Sequence, residues 1–117
     1  MSEEEIREFV KRFYEALDAG DAETASALFP DGTVIHLWDG ITFHTQAEFR
    51  AWFEALYSTS ENARREVVAL RVEGNRARVE VVLHANVDGE ERTVRLRHEF
   101  LFEGDRLVEV RVEIEPL

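Results

Sequence analysis

Tyr14, Asp18, Arg65 and His98 are the side chains whose types and spacing could do chemistry together. In the stretch from Thr93 to Phe102, a two-residue period puts Val94, Leu96, His98, Phe100 and Phe102 on one face. Thr93, Arg95, Arg97, Glu99 and Leu101 take the other. His98 alone interrupts an apolar face, and its imidazole needs a partner, because an unpaired polar group in a dry interior costs about 1–3 kcal/mol. The plain alternative is a core histidine satisfied by one backbone carbonyl. The chemical alternative is a dyad: a tyrosine hydroxyl on a histidine nitrogen fixes the tautomer and can pass a proton near neutral pH.

Asp18 paired with Arg65 would hold a planar cation in a pocket wall, where it could stabilise negative charge developing on a ligand. Tyr14 and Asp18 lie four residues apart and share one flank of a helix, although that spacing also arises for an ordinary half-buried tyrosine and a carboxylate near a helix end. Arg65 stands at a strand start. Parity with Val68, Leu70 and Val72 would turn it outward unless a bulge intervenes. His36, His44 and His84 add nothing to the site: His84 falls on the face opposite Val81 and Leu83, and His44 sits in a connection. No metal-ligand spacing occurs, so no metal is expected. Glycine-rich phosphate loops and nucleophile elbows are absent as well.

The elements that must position these residues follow from periodicity. Ser2 and Glu5 form a capping box, and Ile6, Phe9, Val10, Phe13 and Leu17 trace one helical face to about Asp18, where Gly20 stops the turn. Asp21 caps a short second helix over 22–28, ended by Phe29-Pro30-Asp31-Gly32. A strand over 33–37 reverses at Trp38-Asp39-Gly40 into 41–43. Thr45 and Glu48 form another capping box, and Phe49, Trp52, Phe53 and Leu56 give a buried helix face ending near Tyr57. The polar residues 58–62 form the loop that leaves it.

From Arg64 the period becomes two. Val68, Leu70 and Val72, then Ala77, Val79, Val81, Leu83 and Ala85, then the His98 strand, then Val108, Val110, Val112 and Ile114 face inward. Gly74-Asn75, Asp88-Gly89 and Gly104-Asp105 are the hairpin turns of a four-strand antiparallel meander. Alternating charges such as Arg78, Arg97, Glu99 and Glu113 suit cross-strand pairs on its outer face. The expectation is an α+β fold: three helices packed on a curved, mostly antiparallel sheet of a short hairpin and four long strands, forming a cone whose mouth holds an apolar ligand.

The 117 residues fit one domain spanning 1–117, large enough for a hydrophobic core. A formal net charge of -11, from 14 Lys+Arg against 25 Asp+Glu, argues against nucleic acid or an anionic membrane as partner and favours a soluble monomer. With no cysteine, there is no disulfide or thiol chemistry. The Met1-Ser2-Glu3-Glu4-Glu5 start reads as a soluble helix rather than a signal peptide, leaving the compartment unspecified and the cytosol as the default.

The order of elements, with Arg12-Phe13-Tyr14-Glu15-Ala16-Leu17-Asp18-Ala19-Gly20-Asp21-Ala22, resembles the nuclear transport factor 2-like fold shared by ketosteroid isomerases and related small enzymes. Ile35-His36-Leu37-Trp38-Asp39-Gly40, Glu48-Phe49-Arg50-Ala51-Trp52-Phe53-Glu54 and the placement of Tyr14, Asp18, Arg65 and His98 are similar to the LuxSit de novo designed luciferases. That resemblance covers the whole chain and is looser in the strands. It implies cofactor-free oxidation of diphenylterazine, a coelenterazine analogue, with dioxygen as co-substrate and release of carbon dioxide and light.

In the terms of that family, Tyr14 and His98 match the pocket dyad, Asp18 and Arg65 the second polar pair, and Leu96 and Val110 the pocket lining. Phe13, Leu17, Trp38, Trp52 and Phe100 would complete a wall for a flat aromatic substrate. Ser60 departs from the family in offering no charge at the pocket mouth, which leaves anion stabilisation to Arg65. Two other readings stay open: a non-catalytic pocket for hydrophobic aromatics, and a proton-transfer enzyme in which Tyr14 donates to an oxyanion and Asp18 or His98 is the base.

Overall fold

A computed structural model describes the backbone of residues 1–58 and 61–115, and the side chains of all of these but Ser58, Glu61 and Asn62. The first helix, α1 (Glu3–Asp18), is fixed at both ends by its own sequence. Ser2 Oγ accepts from the Glu5 N–H at 3.1 Å, and the Glu5 carboxylate accepts from the Ser2 N–H at 3.0 Å. At the far end Gly20, at φ 69°, lets its own N–H reach the Leu17 carbonyl (3.1 Å) and the Asp21 N–H reach the Ala16 carbonyl (3.0 Å). Asp21 then caps α2 (Ala22–Ala27) through the Thr24 N–H, with Leu28 as its carboxyl cap rather than its last turn. The chain therefore reverses within two residues of Asp18.

The short hairpin lies between α2 and the third helix. Its strands β1 (Val34–His36) and β2 (Thr42–Phe43) are shorter than periodicity predicts. Beyond its ends, the Thr33 hydroxyl donates to the Leu107 carbonyl (2.6 Å), and the Leu37 N–H closes the turn onto the Ile41 carbonyl (2.9 Å). Before α3 (Gln46–Ser58), Thr45 Oγ1 accepts from the Glu48 N–H as expected. The reciprocal bond falls one residue earlier than in a capping box, because Glu48 accepts from the His44 N–H and the Thr45 hydroxyl. The loop expected over 58–62 is shorter, since Ser58 belongs to α3 and Glu61 opens the next strand; Thr59 and Ser60 lie outside the described residues.

The meander is β3 (Glu61–Glu73), β4 (Arg76–Val87), β5 (Glu90–Glu103) and β6 (Arg106–Glu115). The six strands form one sheet in the order β2-β1-β6-β5-β4-β3, antiparallel except where β1 runs parallel to β6. Its inner face carries Ala77, Val79, Val81, Phe100, Phe102 and Val110, all nearly inaccessible, packed against Ile6, Val10 and Phe13 of α1 and Phe49 and Phe53 of α3. On the outer face Arg78 meets Glu99 at 3.0 Å and Arg97 meets Glu113, both cross-strand register partners. Among the described residues no helix is long and apolar enough to cross a membrane.

Two bulges correct the expected parity. Val67 pairs with Val81 and Ala69 with Glu80, so Val68 is an extra residue in β3. Leu70 and Val72 still face inward opposite Val79 and Ala77, but Val68 does not, and nearly half of it is exposed. In β6, Leu101 pairs with Glu109 and Phe102 with Leu107, so Val108 is the extra residue and Leu107 takes the buried place expected for it.

Candidate functional site

Two consecutive turns of α1 and two strands build the site. Tyr14 projects from the buried stripe of α1 toward β5, where the hydroxyl lies 3.0 Å from His98 Nδ1. Both side chains are buried, at 4% and 6% exposure. Of the two ways to place the hydrogen, only a hydroxyl donating to Nδ1 satisfies the tyrosine. The reverse would leave the Tyr14 O–H orphaned in the core. The neutral ring then carries its hydrogen on Nε2, toward the cavity that His98 lines. His98 thus has a partner other than the backbone carbonyl of the plain reading.

Burial holds this dyad in its neutral form. Removing the imidazole from water, with the Arg65 charge nearby, lowers the His98 pKa to about 3. Burial likewise pushes Tyr14 far above the usual phenol range, against a smaller opposing pull from Arg65. At neutral pH the cavity therefore meets an uncharged N–H donor.

Arg65 is the second polar group. The Val68 bulge reverses the parity of the residues before it, so Arg65 pairs with Leu83 on the inner face and its side chain is 8% exposed. Asp18 secures it twice: Oδ1 accepts from Nη1 at 2.9 Å, and Oδ2 accepts from the Arg65 main-chain N–H at 3.2 Å. One carboxylate thus sets both the position of the strand and the aim of the guanidinium.

His98 and Arg65 border a cavity of about 240 Å³ that is otherwise apolar among the described residues. Phe13, Leu17, Trp38, Trp52, Leu96 and Val110 line it. Tyr14 and Asp18 stand behind His98 and Arg65 and do not line it themselves. Phe100, expected in the wall, is fully buried against Phe9, Phe13 and the His98 ring, because the α1 aromatics cover its stretch of β5. The lining also includes Phe49, Phe53, Leu83 and Ile114, which the sequence marks only as inward-facing apolar residues, and Ile35 and Leu37, which it marks only as part of a strand. At the mouth the half-exposed Trp38 meets Trp52 edge-on, with ring centroids 6.4 Å apart. The expected approach of Ser60 to this mouth lies outside the described residues.

Residues 10–110 match the profile of the SnoaL-like domain. In structure the chain is similar to AclR, a putative hydroxylase from Streptomyces galilaeus, at a TM-score of 0.84 and 16% identity over 97% of this chain and 91% of that one. It is similar to a putative SnoaL-like polyketide cyclase from Shewanella denitrificans at 0.82 and 12% identity, over 93% and 89% of the two chains. A de novo designed protein with a curved β-sheet gives 0.76 and 25% identity, over 99% of this chain and 89% of that one. No curated protein matches the sequence. The family profile and these likenesses agree on a fold that also carries enzymes.

Proposed function

The chain belongs to the SnoaL-like domain family, and from that premise we propose that it is a cofactor-independent luciferase. Its substrate would be a coelenterazine-type imidazopyrazinone such as diphenylterazine, oxidised by dioxygen with release of carbon dioxide and light. The observation that carries this reading is the pairing of one neutral N–H donor, His98, with one cation, Arg65, in an otherwise apolar cavity, each braced from behind by α1.

The chemistry asks for such a wall. The imidazopyrazinone loses its ring proton, the electron-rich anion adds dioxygen, and the resulting peroxide closes a strained ring that expels carbon dioxide and leaves an excited amide. Arg65 favours the anion through its charge, and Asp18 keeps the guanidinium aimed. His98, donating from Nε2 and too weakly basic to take the proton at neutral pH, hydrogen-bonds the core oxygen while the proton leaves to water at the mouth. Phe13, Leu17, Trp38, Trp52, Leu96 and Val110 keep water from the excited product. No cofactor enters this scheme, and the protein acts as a monomer on a small aromatic partner.

An inert binder of aromatic ligands is the second reading, favoured over a ketosteroid-isomerase-like enzyme because Asp18 is turned toward Arg65 and, among the described residues, no carboxylate lines the cavity. Light emission from purified protein with diphenylterazine in aerated, chelator-treated buffer separates them. Emission well above the spontaneous rate, falling at least about tenfold in His98→Ala, is the expected result. Darkness with the ligand bound retires the luciferase reading and leaves the binder.

A further inference from the structure

The cavity of about 240 Å³ is smaller than the roughly 300 Å³ at which pockets for drug-sized ligands begin. A substituted imidazopyrazinone would not fit inside it alone. A second cavity of about 200 Å³ lies toward the end of the sheet where β3 begins, and the two share Leu56, Arg65, Leu83 and Val94 as walls. The second owes its space to Ala63 of β3 and Ala85 of β4, small residues on neighbouring strands that both line it. Val87 continues its apolar wall, and Arg92, paired with Glu90 at 3.1 Å, stands at its rim.

We propose that the second cavity is a ligand subsite, joined to the first at Arg65, and that the site takes elongated aromatics whose two apolar arms flank a central hydrogen-bond acceptor. Arg65 gives Nη1 to Asp18 and has further guanidinium donors to offer at the waist, where it borders both chambers. The first chamber holds one arm against Phe13, Leu96 and Trp52. The second holds the other arm over Ala63 and Ala85. This deepens the luciferase reading by naming the shape of its substrate and rests on that reading for the role of Arg65, but its test needs no light.

The probes are dibenzyl ketone, which has an acceptor between two aryl arms, and phenylacetone, which keeps the acceptor and one arm. Titrations followed by the fluorescence of Trp38 and Trp52 or by calorimetry give both affinities. The unmodified chain binds dibenzyl ketone at least tenfold more tightly. Ala85→Leu, and independently Ala63→Leu from the neighbouring strand, fill the second chamber and weaken dibenzyl ketone about tenfold while changing phenylacetone less than twofold. The comparison of the two ketones on the unmodified chain stands even where a filled variant fails to fold. Equal loss for both ketones, no loss for either, or no binding of either to the unmodified chain overturns the subsite. A protein that discriminates the ketones but gives no light with diphenylterazine keeps the subsite and retires the luciferase.

Discussion

Asp18 grips Arg65 at both ends of the residue, guanidinium and main-chain N–H, from the last turn of α1. A carboxylate in that turn faces the negative end of the helix dipole, and no basic residue of the helix offsets it there. The cation that compensates comes instead from β3, which makes the pair a bond between helix and sheet edge. A double-mutant cycle of Asp18→Asn and Arg65→Gln in urea should give a coupling of about 1–3 kcal/mol, in the range of hydrogen bonds to charged groups. Additive losses would mean that the two residues are held independently.

Tyr14→Phe removes the one donor that fixes the His98 tautomer. The variant should lose about 1–3 kcal/mol of stability through an unsatisfied Nδ1 and emit about tenfold less light. Nitrogen-15 shifts of the His98 ring provide a check that folding alone does not move. The parent should show Nε2 protonated and Nδ1 bare, and the variant a mixture.

The dyad also predicts how stability responds to pH. His98 titrates at about 3 when folded and near its ordinary 6.5 when unfolded, so between those values the unfolded chain binds the extra proton. Its contribution to stability is complete above about pH 6.5 and is lost as pH falls, at a slope approaching 1.4 kcal/mol per pH unit. Tyr14 gives the opposite limb, losing its contribution as pH rises past 10, where only the unfolded phenol ionises. Urea midpoints from pH 4 to 8 should slope less steeply by one proton in His98→Gln. Parallel slopes would place the imidazole in water.

Deleting Val68 removes the extra residue that brings Arg65 onto the inner face. The chain should still unfold cooperatively, with the coupling between Asp18 and Arg65 abolished and affinity for aromatic ligands down about tenfold, in line with the loss of a charged hydrogen bond. Retained coupling would show that β3 shifts register to keep the pair.

The His98 face and the α1 stripe were legible because a period of two and a period of 3.6 leave different residues apolar, and the Tyr14–His98 dyad follows from those faces. Arg65 could not be placed by the same means. Its direction depends on a bulge, and the run Glu66-Val67-Val68-Ala69-Leu70 offers either valine to the core with equal hydrophobicity. Val108 escapes parity for the same reason, with Leu107 beside it as an equally apolar substitute. Parity gives Phe100 the right face but not its depth, because it reports which side of a sheet a residue takes and not which part of that side a helix covers. The second cavity left only the signal of small residues, Ala63 and Ala85, on inward positions of a strand pair.

The kinks of β3 have a consequence at the outer border of the sheet. Among the described residues β3 has no strand beyond it, and an outer edge thirteen residues long would invite another chain to add a strand there. The irregularities after Glu61 and at Val68 break that border into the short regular runs 64–67 and 69–73, with Arg64, Glu66, Arg71 and Glu73 among them. Val67 and Val68, both nearly half exposed, sit where the backbone bends. The distortion that turns one arginine inward therefore also works against edge-to-edge polymerisation, so a variant with a straightened β3 would gain a sticky border as it lost its cation.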